Sequence, residues 1–475
     1  FRLHTTQVFR DPHAWYHLTL HLDTTPSTPS ASSMGLLING VAVTAFDTAT
    51  YPSQNQAMGL GTATNFNIGS NNAPASYYDG YISNFLYCDG NSSSTPYSAE
   101  FDSNGVWRPK DASSATFGDN GVWLDFADSS DFGNDVSGNN NDFTDSAGLA
   151  TADRVVDTPT NNFATISSIS DTWTAAVTKS NGNLTVTGSA ASAANVAMSS
   201  FGAVTSGKWI FATKPDAILP YECDPWICNE TGFAARPANP ASAADFWSVQ
   251  LDTSSDFYDT DQGTQTLHTT SPATAVGDLL LLAADIDNKK CWVGYYDDST
   301  DTTRWADSGT GFTGDPAAGS NGMTLDGTYF YFGVSTYTSR GGEVDFGQQT
   351  GIIDQITIPT GFLFLNTTNL AVPTVTDGSA NFQTMLWSGN SSTQAVTMTG
   401  NSSFTPDVVW IKSRSFGNGA NTYDSSRSSG TSGIALFDTG TPDDETDMGS
   451  WGDGTIAFTG AGASSFYITA TGQIT

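Results

Sequence analysis

Apolar and polar positions alternate with a period of two along most of this chain, and the 3.6-residue period of amphipathic helices is nearly absent. Over residues 15–22, Tyr16, Leu18, Leu20 and Leu22 share one face, while Trp15, His17, Thr19 and His21 share the other. That pattern predicts a strand. Leu36-Leu37-Ile38 and Val41-Ala42-Val43 flank Asn39-Gly40, a hairpin signal because a type I′ turn needs positive φ at both central residues. A further strand is expected from Tyr78 to Tyr87, and together these elements predict a β-sandwich over residues 1–100 whose first strands lie upstream. Residues 101–165 are turn-rich. Asn-Gly-Val-Trp occurs at 104–107 and again at 120–123, residues 135–142 form a polar loop, and residues 157–162 resemble a linker.

A second block of strands spans residues 166–356. Gly207–Ala212 predicts one strand. The run Leu279-Leu280-Leu281-Leu282 predicts a strand buried on both faces. Asp287–Lys290 predicts a turn into Cys291–Tyr295, and strands are expected at 330–335 and 343–347. A linker over 357–381 follows, with Pro359, Pro373 and Asp377-Gly378. The last block, 382–475, should be a smaller β domain, with strands at Phe382–Trp387, at 406–414 (Val408, Trp410 and Lys412 on one face), at Tyr423–Arg427 and at Ile434–Phe437. The expected fold class is all-β: tandem antiparallel sandwiches and a C-terminal β domain. A start at Phe1 and an end in strand-like sequence read as a piece cut from a longer polypeptide.

Composition agrees. Among 475 residues, Gly numbers 47, aromatics make up 12% and charged residues only 13%, as in many short strands joined by turns. The net charge of −32 excludes nucleic acid and anionic membranes as partners, since phosphate binding needs clustered Lys and Arg. The longest apolar run, Leu279 to Ala284, is too short to span a bilayer. Four cysteines decide no compartment. Cys223 and Cys228 have four residues between them, not zinc-knuckle spacing, and a disulfide and free thiols are both open there.

Candidate chemistry is sparse. His13, His17 and His21 recur every four residues, but on a strand His17 and His21 lie about 13 Å apart, too far for one ion. They read as surface or half-buried imidazoles. A glycosidase needs two carboxylates at a fixed close separation, and Glu100, Glu222, Glu230, Glu343 and Glu445 form no Glu-x-Asp-x-x-Glu strand motif. No serine nucleophile elbow, phosphate loop or zinc-protease motif occurs. Asp125, Asp128 and Asp131, then Asp135, Asn139 and Asp142, then Asp297, Asp298 and Asp301, are candidate Ca2+ ligands. Their competing reading is the solvated Asx turn, and Asp443 to Asp447 reads as a solvated acidic loop. Trp226, Trp305, Tyr337 and Trp451, near expected loop tips, are candidates for stacking on sugar rings. The chain is read as a non-enzyme that requires no cofactor.

Residues 9–90 resemble a laminin-G-like (concanavalin-like) module, through the Trp15-Tyr16-His17 strand, Ile38-Asn39-Gly40, Asn67-Ile68-Gly69 and the Tyr78–Asp89 segment. Residues 200–350 resemble a SPRY module, through Gly207-Lys208-Trp209, Asp285-Ile286-Asp287-Asn288 and Val344-Asp345-Phe346-Gly347. Pro406-Asp407-Val408-Val409-Trp410-Ile411-Lys412 is similar to a segment of tailed-bacteriophage fibre proteins, with Val408 where that pattern has Phe. With Ile358 to Phe362 as connector, this order of segments resembles marine-phage tail fibres or appendages. The resemblance implies an extracellular virion protein, commonly a homotrimer, that contacts other virion proteins and attaches to host surface glycan or envelope protein without catalysis. It carries no defined site residues. A structural virion spacer, a secreted bacterial adhesin and a glycan-active concanavalin-like enzyme are the alternatives.

Overall fold

The structure is a computed structural model. It describes residues 1–57, 66–70, 77–93, 95–102, 105–145, 148–168, 177–189, 195–217, 222–237, 239–251, 256–268, 275–337 and 339–385, with shorter pieces beyond, mainly strands. The expected strand Ile434–Phe437 and the acidic cluster 443–447 lie outside the described residues. The chain divides into two compact units, Phe1–Ala99 with Pro109–Leu370, and Glu100–Arg108 with Ala371–Thr475. The architecture is all-β, with many antiparallel sheets.

The centre of the first unit is a two-layer sandwich. Numbered along this module, its strands are β1 (Val177–Ser180), β2 (Thr185–Gly188), β3 (Asn195–Met198), β4 (Lys208–Pro215), β5 (Asp224–Asn229), β6 (Phe246–Leu251), β7 (Phe257–Asp261), β8 (Thr264–Leu267), β9 (Leu279–Asp285), β10 (Lys290–Asp297), β11 (Thr302–Trp305), β12 (Met323–Thr324), β13 (Phe330–Thr336) and β14 (Gly341–Asp345). One sheet has eight strands, in the order β1-β2-β14-β4-β9-β10-β11, with β12 also on β10. The other has six, in the order β3-β13-β5-β6-β7-β8. Strands adjacent in sequence often lie in different sheets, so the core is sealed by contacts distant along the chain.

The leucine run shows how the layers form. Leu280, Leu282 and Ala284 of β9 point into the core between the sheets, with Phe211, Ile227, Val293, Phe332 and Phe346. Leu279, Leu281 and Ala283 point the other way, into a second core closed by Ile352, Ile353, Ile356 and Phe362. Asp345 ties that cover down. Its Oδ1 accepts the N–H groups of Gly347, Gln348 and Gln349 at 2.8, 2.9 and 3.1 Å, and Oδ2 accepts that of Ile353 at 3.1 Å. Gly347 has φ +108, and a Cβ there would lie 2.2 Å from the Phe364 ring, so glycine is required. The Asp285-Ile286-Asp287-Asn288 motif is also structural. Asp285 accepts from the Asn288 backbone and side chain, and pairs with Lys208 Nζ at 2.9 Å.

The N-terminal stretch differs. Its strands form separate small sheets, Arg2–Thr5 with Phe46–Thr50, and Leu18–Leu22 with Met34–Ile38 and Val41–Ala42. The hairpin at Asn39-Gly40 has the expected geometry, with φ of 48° and 76°. Trp15–His17 precede their strand instead of belonging to it, and the segment from Tyr78 to Tyr87 is a strand only over Phe85–Tyr87. This stretch rests on the sandwich through His13, whose Nε2 accepts the N–H of Ser168 at 3.0 Å and whose Nδ1 lies 2.9 Å from Thr165 Oγ1. Trp15 stacks on Tyr81, whose hydroxyl donates to the Asn181 carbonyl at 3.4 Å.

In the second unit, Thr393–Ala395, Tyr467–Thr471, Thr455–Phe458 and Met448–Gly452 form one sheet in that order, the first pair parallel. Val408–Lys412 pairs with Ala420–Asp424, as the alternation there predicts. Residues 382–385, expected to begin a strand, are irregular.

Candidate functional site

The strand ends joined by three connections, from β2 to β3, from β4 to β5 and from β13 to β14, lie together at one end of the sandwich. The ladder fixes this meeting. Asp224 opposes Ser335, Asn195 opposes Thr336, Pro215 opposes Gly342 and Thr187 opposes Gly341. Glu222 Oε1 accepts the Gly341 N–H at 3.3 Å, and its Oε2 lies 3.7 Å from Arg340 Nε. The Arg340 guanidinium sits 5.3 Å from the centre of the Tyr337 ring. The Arg340 carbonyl accepts from Thr336 Oγ1 at 2.6 Å and from the Gly188 N–H at 2.7 Å, which fixes the loop to both sheets.

Two buried polar side chains stand out there. Asp224 is 1% exposed, and neither carboxyl oxygen has a hydrogen-bond partner among the described residues. Asn195 is fully buried, and neither atom of its amide is partnered among them. Such groups are expensive to bury, and native folds keep few of them. Burial first, and the Glu222 charge second, push Asp224 well above the carboxylate range against the opposing pull of Arg340. Burial also raises Glu222, with the Gly341 N–H and Arg340 working the other way. Burial and the surrounding carboxylates hold the Cys223 thiol up, so it stays protonated and unreactive. The arrangement offers hydrogen bonds, one ion pair and an aromatic face. It offers no activated nucleophile.

From Asp224 a polar band continues over the outer face of the six-stranded sheet, since residues two apart on a strand share a face. Trp226 follows Asp224 there, with Ser248 opposite it and Thr260 beyond. Trp226 is wholly buried and packs edge-on against Phe246 at 5.3 Å. It is therefore not a loop-tip aromatic. Asp224-Pro225 resembles a turn in sequence, yet Pro225 sits inside β5 opposite Val334. Trp305 ends β11, half-buried against the second core. Tyr337 lies in the loop cluster. Trp451 lies in Met448–Gly452, and its side chain is outside the described residues. Sequence reading missed Asp224, Asn195, Glu222 and Arg340. The available signal was Asp224 in phase with Trp226, a carboxylate on the same strand face as a core aromatic.

Asp125, Asp128, Asp131, Asp135, Asp142 and Asp297, expected near calcium, serve as backbone clips, and Asp301 accepts the Tyr296 hydroxyl at 3.1 Å. Asp135 is buried, and it accepts the N–H groups of Trp123, Ser137 and Asn141 at 2.8–2.9 Å and the Ser137 hydroxyl at 2.8 Å. Burial raises its pKa, but these bonds outweigh burial and leave it low. Asp142 accepts the Asp135 N–H, Asn139 donates to the Gly118 and Gly121 carbonyls, and Asp125 and Asp128 close Asx turns on Ala127 and Ser130. Among the described residues, no three His, Cys, Asp or Glu side chains group as metal ligands. His17 is half-buried on Ser98, and His21 bonds the Ala31 carbonyl. Cys223 faces the core between the sheets and Cys228 the outer face of the same strand. The two thiols are free, on opposite sides of a sheet.

No protein-family model matches this chain, and no curated protein does. Solved structures align to part of it. The SPRY domain of human HERC1 is 17% identical over 35% of this chain and 89% of its own, with a TM-score of 0.24. Lectin II from Ulex europaeus is 9% identical over 40% and 92%, with a TM-score of 0.24. The carbohydrate-binding module CBM66 from Bacillus subtilis is 7% identical over 38% and 91%, with a TM-score of 0.22. At these scores the likenesses carry no argument, and the sandwich is defined by its own strand pairing.

Proposed function

We propose that this chain is a non-catalytic recognition protein, and that the loop end of its sandwich, around Asp224, Glu222, Arg340 and Tyr337, binds a hydroxyl-rich ligand, a glycan. The observation that carries this reading is Asp224, buried where those strand ends lie together and without a hydrogen-bond partner among the described residues. Loops on a rigid sandwich are where binding residues concentrate. Carboxyl and amide groups match sugar hydroxyls, and an aromatic face matches a sugar ring. A thiol held protonated and a shortage of paired accessible carboxylates disfavour catalysis. The finer reading is that the protein is an extracellular virion fibre or appendage, trimeric, attaching to host surface glycan or envelope protein. It rests on the order of the SPRY-like, connector and fibre-like segments in the sequence. Several weak sites on one multimer would add by avidity.

The test is a glycan array followed by calorimetry with the full chain, in wild type, Asp224→Asn and Tyr337→Ala. Saturable binding to a glycan, weakened at least tenfold by Tyr337→Ala, is the expected result. No binding by folded protein, or binding untouched by both substitutions, would remove the site. Turnover of the glycan would end the non-catalytic reading. Labelled protein incubated with candidate host cells tests the attachment role. An EDTA arm tests whether the aspartate loops hold Ca2+, as the sequence expectation has it.

A further inference from the structure

A second buried polar pair lies away from that end, at the β7–β8 edge. His268 is 1% exposed and Asp259 3%. His268 Nδ1 lies 2.8 Å from the Gly311 carbonyl oxygen. A carbonyl only accepts, so Nδ1 carries a proton. Nε2 then faces Asp259 Oδ2 at 3.5 Å. Neither His268 Nε2 nor Asp259 Oδ1 has a hydrogen bond among the described residues. A bare ring nitrogen facing a carboxylate would set lone pair against lone pair beside the rings of Phe257, Tyr295 and Phe312, an arrangement that a proton on Nε2 turns into an ion pair.

The Gly311 carbonyl belongs to a loop knotted on Asp307, with Asn321 Nδ2 donating to the Thr313 carbonyl at 3.0 Å from outside it. Asp307 accepts the N–H groups of Gly309, Gly311 and Thr313 and the Thr313 hydroxyl, and its own N–H donates back to the Gly311 carbonyl. Phe312 of this loop packs against the core. His268 is thus a polar pin between this loop and the strand that carries Asp259.

We propose that His268 and Asp259 form a proton-dependent latch that holds the 307–313 loop against the sandwich, and that losing this one proton as pH rises frees the loop while the sandwich stays folded. This inference is independent of the glycan reading. Among the described residues, the titratable groups facing the pair are Asp259 and Asp261 of β7, Asp307 of the loop, and Cys291 and Tyr295 of β10. Burial, then Asp261 and Asp259, keep the Cys291 thiol protonated, so it contributes no charge at neutral pH. Burial lowers the His268 pKa, but the Asp259 bond and charge, the Gly311 carbonyl and Asp307 outweigh it and leave it raised. A histidine pKa raised by folding contributes stability that is full below about pH 6.5 and is lost as pH rises through the folded value.

The test uses the intact chain with nitrogen-15 histidine. NMR should show one imidazole with both nitrogens protonated that titrates above a free histidine. Above its titration, exchange protection of the Gly314 amide, which bonds the Trp305 carbonyl at 3.1 Å, should fall about tenfold per pH unit relative to amides of β10. Asp259→Asn should lower that imidazole's titration. If Asp259→Asn does not fold, the wild-type titration and exchange data decide alone. A titration below that of a free histidine, loop protection that tracks β10 at every pH, or a titration unmoved in a folded Asp259→Asn protein would each overturn the latch.

Discussion

Two leucine-rich strands of this protein meet opposite fates. In the hairpin strand Leu18–Leu22, Leu18 and Leu20 are 60% and 57% exposed, and it is the His17, Thr19, His21 face that is partly covered. In Leu279–Asp285 every residue is buried. Both segments are strands of similar apolar content. The difference is company. Leu279–Asp285 is interior to an eight-stranded sheet with a second sheet on one face and the segment after Asp345 on the other. The hairpin belongs to a three-stranded sheet whose apolar face meets no second layer among the described residues. Alternation tells which side chains share a face. It does not tell which face will be covered.

The largest expected effect lies at the covered strand. Leu281→Ala removes a fully buried side chain from a packed layer and should cost about 2–5 kcal/mol, read as a shift in urea midpoint. A cost below about 1 kcal/mol would mean that the outer layer over β9 is loosely packed, and the contrast with the hairpin would fail.

The cover itself should respond to pH. Burial raises Asp345 and Asp157 to about 6 against the N–H groups that bond them. For a carboxyl raised by folding, the folded state binds the extra proton between the unfolded value near 4 and the folded value near 6, so stability rises as pH falls through that window. Each group should contribute about 1 kcal/mol per pH unit there. Thermal midpoints measured from pH 7 to pH 5 should rise, and Asp345→Asn should flatten the slope. A midpoint that falls over that range would contradict the sign.

The two ends of the comparison meet at the Asn39-Gly40 turn and the open leucine face. Gly40→Ala places a Cβ at φ 76° and should cost about 1 kcal/mol, visible as faster exchange of the Val43 amide. Leu18→Ser should change global stability by less than about 0.5 kcal/mol. A loss as large as that of Leu281→Ala would show that the hairpin face is covered in solution.

Much of the sandwich was legible. The Leu279 run, the turn at Asp287–Lys290 and the strand at 330–335 stand where alternation and turn residues put them, and the strand expected at 343–347 begins two residues earlier, as Gly341–Asp345. The candidate site was not. Trp226 is expected near a loop tip, but ladder pairing of Pro225 with Val334 and of Trp226 with Gly333 carries that segment into the sheet. Asp224, Asn195, Glu222 and Arg340 are spread over 146 positions and carry no motif, so nothing local connects them. His268 and Asp259, only nine positions apart, gained meaning from the Gly311 carbonyl, a backbone atom no sequence pattern advertises.

The sequence by itself determined that this protein is built of strands, where many of them run, and that its charge repels nucleic acid. These are local properties, set by side-chain periodicity, turn residues and composition. Only the tertiary structure decided which apolar face is covered, that Cys223 and Cys228 lie on opposite sides of one sheet, and that a buried carboxyl stands at one end of the sandwich and a buried imidazole at an edge. Those follow from pairing between distant segments, where burial changes what a charge costs and a neighbouring backbone group decides where a proton sits.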